Sequence, residues 1–222
     1  MMMKSVAVLL SGSGHLDGSE IQESVCTLLA LSKYDVDYEC FSVDMDQYDV
    51  VDHLNKEPAD EKRNVLKESA RIARGDVKDI TKLDPNDFEA LIIPGGFGVA
   101  KNLFTYAYEG VGGKVSEQVR DTILSFYKMS KYIGAICISP VLVVMALQKE
   151  AKGLKVTPGF AKPAAEDIEK MGCVPVMLPS NEICVDEINK VITAPAYMNP
   201  EASLVEVYTG IEKLIKNIAE RI

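Results

Sequence analysis

The sequence predicts an α/β fold, and three stretches lead to that prediction. Tyr132 to Ile136 is short, apolar and partly β-branched, and an apolar helix follows it directly. Ser5 to Leu10 reads as a first, central strand followed by a glycine-rich loop and a helix. Phe88 to Ile93 reads as another buried strand, ending in Pro94-Gly-Gly-Phe-Gly98. Each places a loop at the carboxyl end of a strand, the edge where open α/β sheets bind their ligands.

The Tyr132 stretch is the most informative. Ser139 is expected to N-cap the helix, with Pro140 in its first turn and Val141 to Leu147 as its body. Cys137 then occupies a sharp strand-to-helix turn flanked at two residues' distance by small Ala135 and Ser139, the pattern of a nucleophile elbow. The helix N-terminus behind it is expected to favour thiolate over thiol. The bland alternative is a buried core cysteine. The run is too short to span a membrane, and Pro140 interrupts it.

At 222 residues the chain suffices for one α/β domain with a full core, and no linker or repeat divides it. A single domain over residues 1–222 is expected. The net charge of −9 argues against nucleic acid or an anionic membrane as partner. Five cysteines, an odd number without Cys-x-x-Cys, point to a reducing compartment, with neither a disulfide frame nor a zinc site. The apolar run Val6 to Leu10 is too short for a signal peptide, so a cytoplasmic location is expected.

After the first strand, Gly12, Gly14 and Gly18 miss the dinucleotide-binding spacing and read as turn glycines. Ser19-Glu-Ile-Gln22 fits a capping box, opening a helix with Ile21, Val25, Leu28, Leu29 and Ser32 as its inner face. Glu20 falls in its first turn, at the ligand edge; its bland reading is a solvated carboxylate complementing the helix dipole. Asp37 to Val43 is a second strand, and Asp44 to Asp60 is acidic and irregular, with Val50-Val51 as a short edge strand. Lys62 to Arg74 is a helix stopped by Gly75. Phe104 to Lys114 reads as a surface loop and Val115 to Lys131 as a helix. Short strands are expected at Leu154 to Thr157, Val174 to Leu178, Ile183 to Asp186 and Val191 to Thr193. Helices are expected at Ala164 to Met171 and Leu204 to Ile222.

Glu20, Pro94-Gly-Gly96 and Cys137 in this order resemble the ThiJ/PfpI superfamily, relatives of the class I glutamine amidotransferases. The resemblance sharpens with Asp17-Gly-Ser-Glu20, Arg63-Asn-Val-Leu66, Ala70-Arg-Ile-Ala-Arg-Gly75, Pro94-Gly-Gly-Phe-Gly98, Ala100-Lys-Asn-Leu103 and Thr193-Ala-Pro-Ala-Tyr197. Together these resemble the ElbB branch, associated with isoprenoid and lycopene biosynthesis. The resemblance implies a flavodoxin-like three-layer sandwich with a mostly parallel central sheet. It makes Cys137 the nucleophile and Glu20 its protonated partner, with the backbone N–H groups of Gly96 and Ile138 as an oxyanion hole. It also implies a homodimer.

The histidine that amidotransferases place after the elbow helix is missing, since Val156-Thr-Pro-Gly-Phe160 stands there. His53, which matches the branch, and His15 are accessory candidates; each also reads as a solvated loop histidine. Glutaminase chemistry is therefore disfavoured. The resemblance implies glyoxalase-type chemistry on a small carbonyl such as methylglyoxal, with no cofactor and no metal. The alternative is a redox or electrophile sensor acting through a partner.

Overall fold

A computed structural model describes residues 5–222. In chain order the elements are β1 (Ser5–Leu9), α1 (Ile21–Lys33), β2 (Asp37–Ser42), β3 (Val51–Asp52), β4 (Glu57–Pro58), α2 (Val65–Ile72), β5 (Val77–Asp79) and β6 (Ala90–Ile93). They continue with α3 (Tyr106–Glu109), α4 (Glu117–Lys128), β7 (Tyr132–Ile136), α5 (Ser139–Leu147), β8 (Lys155–Val156), α6 (Lys162–Lys170), β9 (Val174–Pro175), β10 (Cys184–Asp186), β11 (Val191–Ala194) and α7 (Leu204–Ala219).

The main sheet has the order β10-β11-β7-β6-β1-β2-β5. Every pairing in it is parallel except β10 with β11. This is the mostly parallel sheet expected, with helices on both faces. The period of two along β1 divides the core. Ala7 and Leu9 pack on one side with α4 and α5, and Val6 and Val8 pack on the other with α1 and α7. Helix α5 is buried along its whole length, so its apolar run shows no sidedness. Among the described residues no helix is long and apolar enough to cross a membrane.

The sheet register brings the functional loops together. Ile93 lies beside Ala135, and Ile136 lies beside Ala194. The segments that leave β1, β6, β7 and β11 therefore emerge at one edge.

Several expectations need correction. Helix α1 starts one residue later than the capping box implies. The Ser19 hydroxyl is engaged by the Ser11 N–H at 2.8 Å, and Glu20 takes the cap position instead. The inner face of α1 is Glu23, Ser24, Cys26, Thr27, Ala30 and Leu31, whereas Ile21, Val25 and Leu29 are 46%, 49% and 55% exposed. Ser139 does not cap α5; its hydroxyl donates to the Pro94 carbonyl at 2.8 Å and ties the elbow to the loop after β6. Phe104 is buried, and the stretch expected as a surface loop begins in the core and carries α3. Strand β5, with its lysine and aspartate at the sheet edge, lacks an apolar run that would mark it.

Candidate active site

Cys137 has φ +61°, a left-handed conformation that a side-chain-bearing residue adopts at a cost. Its N–H donates to the Ala194 carbonyl at 2.9 Å, which anchors the turn to β11. The side chain is 8% exposed. The backbone N–H groups of Gly96 and Ile138 both donate to its sulfur. These are the two donors that the resemblance implies for an oxyanion hole; here they act on the sulfur itself.

The carboxyl group hydrogen-bonded to Cys137 belongs to Glu23, not Glu20. Glu23 is fully buried. Its Oε2 accepts the Gly95 N–H at 3.0 Å and its Oε1 accepts the Tyr197 N–H at 3.3 Å. Tyr197 reaches it because Ala196 takes φ +44° after Pro195, turning the chain leaving β11 toward the site. Glycine is required at position 95: a Cβ there would lie 2.4 Å from Cys137 Cβ and 2.6 Å from Glu23 Oε2.

Glu20 caps α1, and its charge acts on Glu23. It is half-buried, and its Oε2 accepts the Glu23 N–H at 2.6 Å. Its own N–H donates to the Gly95 carbonyl at 2.9 Å. A Cβ on Gly96, which has φ +105°, would lie 2.4 Å from the Glu20 nitrogen. The loop after β6 and the start of α1 are therefore in backbone contact, leaving room for no side chain between them.

The electrostatics follow from burial. Desolvation, reinforced by the negative charge of Glu20, raises the Glu23 carboxyl to about 8. Burial also raises Glu20, opposed by the N–H groups of Glu23 and Gln22. Burial and the facing Glu23 carboxylate push the Cys137 thiol up, against the pull of the Gly96 and Ile138 N–H groups. The helix N-terminus does not by itself give the thiolate that the sequence led us to expect, because desolvation in this enclosed turn is the larger effect. A thiolate is favoured only in the state where Glu23 keeps its proton and donates it to sulfur. The two groups act on each other, so their titration belongs to the pair.

The histidines sit apart from the sulfur. His15 and His53 meet edge to face with centroids 5.0 Å apart. His53 Nδ1 pairs with the Val51 carbonyl at 2.9 Å, and its Nε2 accepts the Leu16 N–H at 3.3 Å. Neither ring is among the groups that act on Cys137. All five cysteines are free and buried. Among the described residues no cluster of three or more His, Cys, Asp or Glu side chains is arranged to hold a metal ion.

Glu23 was hidden in the sequence by its neighbours. It lies in the same helical turn as Glu20, and only the small, polar inner face of α1 distinguishes it. Ser24 and Thr27 satisfy their hydroxyls on the Glu20 and Glu23 carbonyls at 2.7 and 2.8 Å, so this face can be buried. A Glu followed at i+1, i+4 and i+7 by Ser, Thr and Ala was the available signal.

A mostly parallel sheet thus carries a cysteine with positive φ at the carboxyl end of β7, faced by a buried carboxyl. No family model matches the chain. The mitochondrial ES1 protein homolog of Rattus norvegicus is 39% identical over 225 residues, covering 97% of this chain and 83% of that protein. The human mitochondrial glutamine amidotransferase-like class 1 domain-containing protein 3 is 38% identical, covering 97% and 82%. The chain belongs to this glutamine amidotransferase-like class 1 family. A solved structure of an isoprenoid biosynthesis protein with an amidotransferase-like domain, from Ehrlichia chaffeensis, superposes with TM-score 0.91 at 41% identity, covering 98% of each chain. A DJ-1 variant from Schizosaccharomyces pombe shares the fold, with TM-score 0.59 at 15% identity, covering 97% of this chain and 92% of that one.

Proposed function

We propose that this protein is a cofactor-independent enzyme of glyoxalase type, acting on small reactive carbonyls through Cys137 and Glu23. The observation that carries the reading is the contact between the strained Cys137 thiol and a buried carboxyl raised to about 8. A group with that pKa both gives and takes protons near neutrality, as general acid–base chemistry requires. No histidine is needed.

With methylglyoxal the steps balance as follows. The sulfur of the one-proton pair adds to the aldehyde carbon; a C–S bond forms, and the oxygen takes the proton of Glu23. The Glu23 carboxylate then removes the proton on that carbon. It returns it to the neighbouring carbon, while the hydroxyl proton passes to the second oxygen. This isomerisation turns the hemithioacetal into a lactoyl thioester with no net oxidation. Water, deprotonated by Glu23, breaks the C–S bond, and the sulfur–carboxyl pair is left with its one proton. The sum is methylglyoxal and water to lactate and a proton. The Gly96 and Ile138 N–H groups, which act on the free sulfur, would turn to the substrate oxygen once sulfur is bonded to carbon.

The test is lactate production from methylglyoxal by purified protein, without glutathione and with a chelator present. Glu23→Gln keeps the shape and a donor but removes the transferable proton, and it leaves one of the Gly95 and Tyr197 N–H groups without its acceptor. It is expected to lower turnover by about a hundredfold or more, the scale of general acid–base catalysis. Full turnover by Glu23→Gln would sink the assignment. No lactate from the wild type, with Cys137 oxidising readily to a sulfinic acid, would favour the sensor reading; the donors around the sulfur suit that product too.

A role connected with isoprenoid biosynthesis is carried by the description of the Ehrlichia relative. The homodimer is carried by family resemblance and is read by sedimentation velocity. A reducing compartment such as the cytoplasm fits five free cysteines, although the rat and human relatives are described as mitochondrial.

A further inference from the structure

The proposed reaction leaves Glu20 without a chemical role. It is nevertheless the carboxylate of this site that solvent reaches, while Glu23 behind it is fully buried. Burial raises the Glu20 carboxyl, and two backbone N–H groups, those of Gln22 and Glu23, oppose that shift by favouring its charged form. Its charge is felt by Glu23, Cys26 and Tyr197, the titratable groups that face it from α1 and from the segment after β11.

Among the described residues no cation acts on this charge, and neither Glu20 nor Glu23 forms an ion pair. The cation on the adjoining loop, Lys101, is paired with Asp49 at 2.6 Å and also donates to the Leu16 carbonyl at 2.9 Å. Glu20 lies against the same glycine that touches Cys137, its N–H donating to the Gly95 carbonyl at 2.9 Å, so an anionic substrate bound there would meet a carboxylate with no paired cation.

We propose that Glu20 is a specificity-determining residue, whose charge at the rim of the Cys137 site excludes anionic compounds and restricts the substrate to uncharged carbonyls. This deepens the function proposed above and rests on that reading for the word substrate. The discrimination itself is a property of the site and is measurable without turnover. By this inference methylglyoxal and glyoxal are acceptable, and glyoxylate and other oxo acids are poor substrates. The repulsion is Coulombic, so it weakens as salt shortens the screening length.

The experiment compares alkylation of Cys137 by neutral iodoacetamide and anionic iodoacetate, with adducts mapped by mass spectrometry. It is run on the wild type, Glu20→Gln and Glu20→Asp. Glutamine keeps an oxygen to accept the Glu23 N–H, so the helix start is preserved. Aspartate keeps the charge. The expected result is a rise of about tenfold in the iodoacetate-to-iodoacetamide rate ratio in Glu20→Gln at low ionic strength. The rise shrinks in molar salt, and Glu20→Asp stays near the wild-type ratio. With turnover measured in parallel, the preference for methylglyoxal over glyoxylate falls by a similar factor in Glu20→Gln. An unchanged alkylation ratio in Glu20→Gln overturns the inference, even if methylglyoxal is turned over. A changed ratio with no lactate from any variant upholds the electrostatic role and overturns the glyoxalase reading instead.

Discussion

The Gly95 N–H donates to Glu23 Oε2 at 3.0 Å, and the missing side chain of the same glycine is what lets that oxygen lie beside Cys137. One residue thus both orients the carboxyl and makes room for it. The loop after β6 acts here as a spacer of defined thickness between α1 and the elbow.

Gly95→Ala tests this directly. The added methyl would overlap Cys137 Cβ and Glu23 Oε2, neither of which can swing away, since one is held by the elbow and the other by three hydrogen bonds. The expected outcome is a loss of about 1–3 kcal/mol in urea-unfolding stability, the range for overpacking. Separation of Glu23 from the sulfur should also change the pH dependence of Cys137 alkylation. A variant with wild-type stability and an unchanged alkylation profile would show that the contact tolerates a spacer.

Stability should depend on pH through Glu23. The folded state holds this proton up to about pH 8, while the unfolded chain releases it near its ordinary value of 4.5. Between those values the folded state binds more protons, so stability falls as pH rises. The contribution is fully present below about 4.5 and lost above about 8, on the order of a few kcal/mol. Urea midpoints measured from pH 5 to 9 should fall with rising pH in the wild type and lack that fall in Glu23→Gln. Parallel profiles would refute the buried, protonated carboxyl.

Among the five cysteines, Cys137 should be alkylated first. Burial pushes Cys40 to about 12 and, together with Asp186, Cys184 to about 11, so both remain thiols near neutrality. Burial pushes Cys137 up as well, but it alone shares a proton with a neighbouring carboxyl raised to about 8. Its labelling rate should therefore respond to the protonation of Glu23, so the pH profile of labelling should change in Glu23→Gln. Mapping iodoacetamide adducts at several pH values reads this, and labelling of Cys26 ahead of Cys137 would contradict it.

The sequence by itself determined the elements whose signals are local. Tyr132 to Ile136 followed by Cys137 is a strand and a turn because apolar β-branched residues give way to small residues and then to a proline-bearing helix start. The glycines of Pro94-Gly-Gly-Phe-Gly98 announce a close backbone approach wherever they fold, and that approach is to Cys137, Glu23 and the loop that ends at Glu20.

Which carboxyl meets the sulfur was decided by tertiary structure alone. The Ser19 hydroxyl serves either as a helix cap or as an acceptor for Ser11, and only the packed loop selects the second role. That choice moves the cap to Glu20. The face of α1 is a separate matter, because the helix buries small hydroxyl-bearing residues inward and leaves Ile21, Val25 and Leu29 outward. Hydrophobic periodicity reads the wrong side of such a helix, since it counts apolar residues and not the fit of a small face against a neighbouring sheet and helix. Glu23 reaches Cys137 only because residues distant in sequence, Gly95 and Tyr197, supply the hydrogen bonds that a buried carboxyl requires.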